Sequence, residues 1–368
     1  MSNARKLADN LPTEGSLSGR NMVQNGDFSI AQRGTSSTSY NGVYATVDRW
    51  KLQTDGMDQL ALTQTQDTNA PSGFKNSYKV TVTTPETSVT DAEMLSVFHP
   101  IEAQNLQRLA YGTSDAKSIT ASFYVKSSVT GNYCLALYAP DGNRSIGAVY
   151  TINTANTWEY KTVTFPPDTS GVINNDNGAG LELYFFLTMG PDRKTANNTA
   201  WATWSAARFA FGQVADIAAT TNATWQITGV QLEVGPQSTP FEHEPVGVTL
   251  SKCQRYTHII GDTQYQAIGI GTMYTATNGI FYVHTPVPMR STPSISKTVD
   301  GNNVWLQSYV GASGLNTNVT PQLGENSTNG RQNNFRIYVP SSNNSTTAGY
   351  SSWNQVMPNA SFIFSAEL

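Results

Sequence analysis

Charge is scarce in this 368-residue chain: Asp, Glu, Lys and Arg together make up 13% of it, about half of the roughly 25% usual in a soluble protein. The 26 acidic and 22 basic side chains leave a net charge of −4. A basic face able to neutralise phosphates is therefore not expected, and no nucleic-acid partner is expected. Cysteine is scarcer still. Cys134 and Cys253 stand far apart and outside any metal-like spacing, which excludes a disulfide framework and predicts two free, partly buried thiols. No run of about 18 apolar residues occurs, so no membrane insertion is expected. The opening "MSNARKLADNLPTEGSLSGR" lacks the apolar stretch of a secretory signal, and synthesis in a cytosol is the expectation.

Signatures of chemistry are also missing. The four histidines, His99, His243, His258 and His284, never stand three or four residues apart, so a zinc cluster would have to be gathered from separate strands. There is no Gly-x-Ser-x-Gly elbow and no phosphate-cradling loop followed by Lys and Ser or Thr. Paired carboxylates are harder to discount, because glycosidases draw them from distant strands. Glu159 and Glu182 read as solvated strand charges and Glu242 and Glu244 as caps or ion-pair partners in a linker, with Glu233 on a further β run. A protein that is not an enzyme is expected, with a polysaccharide depolymerase as the remote alternative.

What the chain has instead of charge is Thr, Ser, Asn, Gln and Gly, the composition of strands joined by tight turns. "SITASFYVKSS" alternates Ile119, Ala121, Phe123 and Val125 against Thr120, Ser122, Tyr124 and Lys126, the period-2 pattern of a half-buried strand. "NYCLALYAPDGNRSIGAVYTI" gives two such runs around Asp141-Gly142-Asn143, a hairpin signal. "WEYKTVTF" and "LELYFFLTMG" continue the series. In "WQITGVQLEVG", Ile227 is out of phase with Val230, Leu232 and Val234, and Gly229 between them predicts a bulge. Asn25-Gly26 predicts a turn that sends Phe28 and Ile30 into the core along a first strand. Only "IEAQNLQRLAYG" (101–112) reads as helical or irregular.

The spacing predicts an all-β protein: a jelly-roll or β-sandwich domain over 21–248, then a smaller β-sandwich domain over 249–368, divided by the Pro236, Pro240 and Pro245 stretch. Residues 1–20 read as a short N-terminal docking segment and linker, with Ala4, Leu7 and Ala8 on one side of a marginal helix.

Seven Trp and 17 Tyr in a weakly charged, amide-rich chain fit carbohydrate recognition, in which ring faces stack on sugar C–H groups while amides read hydroxyls. Trp201 and Trp204, three apart beside Arg208, are the candidate platform, with Tyr44 from the Tyr40, Tyr44 and Trp50 cluster; Trp50 and Trp225 read as core. No cofactor is expected beyond a structural calcium ion, for which Asp27, Asp48 and Glu233 would supply hard oxygen ligands where the first and last strands run together.

The stretches "NMVQNGDFSIAQRGT…VDRW", "IEAQNL…AKSITASFYVKSSVTGNYCLALY", "NTWEYKTVTFPPDTSG" and "WQITGVQLEVGPQSTPFEHEPVGVTLSKCQRY" resemble the carbohydrate-binding-module-like jelly roll of many bacteriophage tail-fibre and related virion proteins. "MSNARKLADNLP" is similar to their N-terminal segment, and "VPMRSTPSIS" with the closing "SAEL" to their small C-terminal β-domain. The resemblance spans nearly the whole chain. It implies a virion component on the tail or capsid exterior, a homotrimer, docked to other virion proteins through residues 1–20 and displaying its β-domains toward a host-surface glycan. No heptads, triple-β repeats or collagen-like run are present to build a shaft, so a tail fibre or fibre tip, a capsid decoration or head-fibre protein and a tail adaptor all remain open.

Overall fold

The computed structural model describes residues 19–261, 265–273, 275, 278–299, 306–310, 313–317, 322–323, 334–340 and 351–368. The docking segment expected over 1–20 lies, as far as residue 18, outside the described residues. The chain divides into two compact units between Thr249 and Leu250.

Alternation of apolar and polar residues builds the first unit. Its strands are β1 (Ser36–Ser37), β2 (Lys51–Asp55), β3 (Ala61–Asp67), β4 (Ser77–Thr84), β5 (Met94–Glu102) and β6 (Ile119–Ser127). They continue with β7 (Gly131–Ala139), β8 (Arg144–Ile152), β9 (Glu159–Phe165), β10 (Ala179–Met189), β11 (Ala202–Thr203) and β12 (Thr224–Val234). They form two six-stranded antiparallel sheets, ordered β1-β3-β4-β12-β6-β9 and β11-β8-β7-β10-β5-β2. Neighbours in each sheet are mostly distant in sequence, the arrangement of a jelly-roll sandwich.

The inward phases of the two sheets interlock as one core. Ile119, Ala121, Phe123 and Val125 of β6 meet Leu181, Leu183, Phe185 and Leu187 of β10, with Trp50 and Trp225 fully buried between the sheets. Phe185 touches Phe123 edge-on at 5.1 Å and lies 5.7 Å from Trp225. Such ring pairs add about 0.5–1.5 kcal/mol each beyond their burial. Both cysteines are buried and in no disulfide, and burial pushes the Cys134 thiol up to about 12.

The bulge in β12 is present: its pairing with β6 slips between Thr228 and Gln231, and Gly229 takes φ +61°. Ala103–Leu109 forms a 3-10 helix that buries Leu106 and Leu109. The Asn25-Gly26 region differs from expectation. No strand forms over 21–35, because Asn25 and Phe28 adopt positive φ of 56°. The Asn25 side chain also takes up the Ile30 amide and carbonyl and the Asp48 carbonyl, groups a strand would need for its ladder. Phe28 and Ile30 are nevertheless buried.

The second unit is all-β after one helix, α1 (Val246–Gln254), which the sequence pattern did not announce and which spans the division between the units. A three-stranded sheet joins Thr257–Gly261, Ser361–Ser365 and Ser294–Lys297, and a seven-stranded sheet is built around Ala267–Met273, Asn278–His284, Asn334–Pro340 and Ser351–Val356. Phe281, Ile337, Phe362 and Phe364 are central to its core. Within the polar stretch 311–334, Ser313–Thr317 is a strand paired with Leu306–Val310.

Candidate functional site

Strand β10, "AGLELYFFLTM", is apolar in both phases. While Leu181 to Leu187 face the core, Tyr184 and Phe186 point to the other side of the second sheet, and a face so apolar has to be covered or used. Much of it is covered. The segment after β10 lays Phe209 and Ala210 over Met94, Cys134, Ala136, Phe186 and Met189, with the Phe209 ring edge-on to Phe186 at 4.8 Å and to Tyr184 at 5.1 Å.

Beyond Phe209, Tyr184 and Phe98 are still buried, and the Leu368 carbonyl accepts from Tyr44 Oη at 3.0 Å and from Lys51 Nζ at 2.8 Å, so the partly exposed groups are Tyr138, Glu182 and Trp204. Register sets Glu182 opposite both Tyr138 of β7 and Pro100 of β5, and Tyr184 opposite Ala136 and Phe98, with Lys51 of β2 next across from Phe98. Tyr184 and Phe98 stack at 4.7 Å and 12°. Trp204 stands at one margin, 5.8 Å from Phe209 and 6.0 Å from Tyr138. Tyr44 stands at the other, where Lys51 Nζ lies 4.6 Å from its ring and 5.4 Å from that of Phe98. Tyr138, Glu182 and Trp204 are each half-buried.

The polar groups are few and fixed. Tyr184 Oη donates to Glu182 Oε2 at 2.6 Å, and Tyr138 Oη donates to Asn143 Oδ1 at 3.3 Å. Burial raises the Glu182 carboxyl above its ordinary range, opposed by the Tyr184 hydrogen bond and by Lys51. Burial and the Glu182 charge raise the Tyr138 phenol. Glu182 can accept further donors beyond the one it has from Tyr184, and in a partly desolvated site a charge-assisted hydrogen bond is about twice as strong as a neutral one.

Of the four residues expected to read a ligand, Trp204 and Tyr44 come to this face and Trp201 and Arg208 do not. Trp201 packs on the sandwich core, edge-on to Tyr111 at 5.6 Å, and its Nε1 donates to the Pro166 carbonyl at 2.8 Å. Arg208 turns back on its own loop, donating to the Ala200 carbonyl at 2.8 Å. The reason lies in β11: Trp201 and Trp204 flank this two-residue strand, and positions i and i+3 of an extended chain face opposite ways.

The expected calcium ligands do not converge. Asp27 accepts from the Ser29 amide and hydroxyl, Asp48 from the Gln32 amide and side chain, and Glu233 from Gln231 Nε2, the Thr239 amide and the Thr239 hydroxyl. Asp27 and Glu233 serve local turns, and Asp48 ties down Gln32, sixteen residues before it. Among the described residues no three His, Cys, Asp or Glu side chains are grouped to hold a metal ion.

Sequence reading missed Tyr138, Tyr184 and Phe98 and took Glu182 for a solvated charge. The signal was in "LELYFF", whose outward phase is aromatic where a solvated sheet face would be polar.

No protein-family model matches the chain, and no curated protein does. Solved structures align with part of the chain at low similarity. The enzymatically active domain of tailspike protein 4 of bacteriophage CBA120 aligns over 58% of this chain and 21% of its own length, with 14% identity and a TM-score of 0.32. A family 61 carbohydrate-binding module solved with β-1,4-galactotriose aligns over 58% of this chain and 99% of its own length, at 9% identity and 0.29. The family 11 module of a cellulosomal cellulase of Clostridium thermocellum aligns over 57% and 98%, at 13% and 0.27.

Proposed function

We propose that this chain is a non-enzymatic bacteriophage virion protein of the tail-fibre or fibre-tip type, and that the partly exposed margin of the second sheet's outer face, at Tyr138, Glu182 and Trp204, attaches it to a host-surface glycan. The observation that carries the reading is the Trp204 and Tyr138 ring pair beside the half-buried Glu182 carboxylate. Stacking on flat ring faces supplies sequence-tolerant attraction to sugar C–H surfaces, and Glu182 and Asn143 supply the directional contacts that tell one hydroxyl pattern from another. The rings are held before any ligand arrives, Trp204 by Phe209 and Tyr138 by Asn143, so little side-chain entropy is lost on binding.

The virion assignment rests on the sequence resemblance, and with it come homotrimeric assembly and docking through residues 1–20. The start of the sandwich suits such a tether. The amides of Gly19 and Asn21 donate to the Glu242 carboxylate and Arg108 donates to the Gly19 and Arg20 carbonyls, so the chain leaves the sandwich from a fixed point. Antibody labelling of residues 19–249 on intact particles tests the location: decoration at the tail tip supports attachment, and decoration of the capsid replaces it with a decoration role. Screening the full chain against bacterial surface polysaccharides tests the ligand, with binding to at least one polymer expected and binding to none overturning the reading.

A further inference from the structure

The outer face of the first sheet carries a second aromatic array that the proposed site does not use. Tyr160 of β9 lies 5.0 Å from Tyr124 of β6, Tyr124 lies 5.6 Å from Phe74, and Phe74 lies 5.1 Å from Phe241 and 5.2 Å from His243. Tyr160 is 47% exposed, and His243 is exposed at the far end. Phe74 has its seat because residue 229 is glycine: a Cβ there would stand 2.6 Å from its ring.

One step along the same face, Lys126 lies beside Trp158. Its Nζ is 5.1 Å from the indole and donates to Asn69 Oδ1 at 2.6 Å, an oxygen that also accepts from Trp158 Nε1 at 3.1 Å. The neighbouring cation Lys79 is paired with Asp67 at 3.2 Å. Among the described residues Lys126 has no carboxylate within 4.0 Å. The face therefore presents a ring platform and, about 7 Å along the strands, an oriented ammonium backed by an indole and lacking a counter-charge in contact with it.

We infer that this face is a second saccharide site, selective for acidic sugars: a pyranose ring lies on Tyr160 and Tyr124, and its carboxylate pairs with Lys126. Charge complementarity is local, since the chain as a whole is net negative and offers polyanions no general attraction. The inference does not rest on the glycan reading of the opposite sheet, and the experiment separates the two.

Binding of the full chain is measured against oligogalacturonate, oligomannuronate and sialyllactose, and against the methyl-esterified oligomers. The wild type binds at least one acid form about tenfold more tightly than its neutral counterpart, the margin of one charge-assisted contact. Lys126→Met abolishes that preference and Lys126→Arg keeps it. Tyr160→Ala weakens the acid form most and lowers the preference, while Tyr138→Ala, which disables the opposite sheet, leaves the acid-over-neutral preference in place. Thermal melting confirms that each variant is folded. Failure of the wild type to bind any of the acid probes, an unchanged preference in Lys126→Met, or loss of the acid-over-neutral preference in Tyr138→Ala overturns the inference.

Discussion

The residue that organises the proposed glycan face is Glu182, a carboxylate held half-buried by one tyrosine hydroxyl with acceptor capacity left over. Replacing it with Gln removes the charge but keeps the shape, and sugar affinity should fall by about 1.5–3 kcal/mol, the value of a hydrogen bond to a charged group. Calorimetric titration checks this. Trp201→Ala is the matching control: its ring packs on the core and its Nε1 is already engaged, so the variant should lower stability and leave affinity intact. His99 carries a prediction of a different kind, being buried against Trp50 with its Nε2 at the Gln24 backbone and Arg49 nearby. Burial first, and then the Arg49 charge, hold its pKa well below the ordinary value. The unfolded chain binds that proton more readily, so its contribution is complete above about pH 6.5 and is lost as the pH falls below it, by at most about 1.4 kcal/mol per pH unit. Melting curves between pH 7.5 and 5 should show this slope, and His99→Asn should reduce it. At this scale legibility was uneven. Trp50 and Trp225 were readable as core from their β context, whereas Glu182 looked solvated because nothing in sequence shows that Phe209 returns to roof the neighbouring positions.

Among the elements, two glycines stand where a side chain would collide with a neighbour. Gly26 receives the Val230 amide on its carbonyl at 2.9 Å, and a Cβ on it would stand 2.1 Å from the Val230 oxygen. Gly26→Ala must push the opening turn away from β12. A cost of about 1–3 kcal/mol, and a melting temperature lower by several degrees, is the expected outcome in thermal denaturation. Gly229→Ala should act through the other surface: its Cβ would collide with the Phe74 ring, so Phe74 is displaced and the acidic-sugar binding inferred for that face is weakened. The β12 bulge was legible because only an extra residue in the strand lets apolar side chains on both sides of Gly229 reach the same core. The opening "NMVQNGDFSI" was not, since its alternating Phe28 and Ile30 mimic a strand while Asn25 commits its side chain to the backbone groups a ladder would use. The pair Trp201 and Trp204 misled for a related reason. A spacing of three brings residues together on a helix and drives them apart on the strand that lies between them.

Across the whole molecule, composition already pointed to the architecture: few charges, many hydroxyls and amides, and regular turn residues give two all-β units. A single sequence does not fix which sheet faces are covered by returning loops, because that depends on contacts between residues distant in the chain, such as Phe98 with Tyr184. Both aromatic surfaces lie on outward faces of one sandwich, and neutral stacking should make attachment through the second sheet nearly independent of salt, while binding at the Lys126 face weakens as salt rises. Repeating the titrations from about 50 to about 500 mM salt, a range over which the screening length shortens severalfold, checks the contrast.

That Tyr138, Glu182 and Trp204 hold a host-surface sugar is tested most directly by measuring the affinity of the wild type and of Tyr138→Ala for a polysaccharide that the wild type captures. A loss of about tenfold or more in the folded variant, with Trp201→Ala binding as the wild type does, is what the geometry predicts. Equal binding by Tyr138→Ala and the wild type would contradict it.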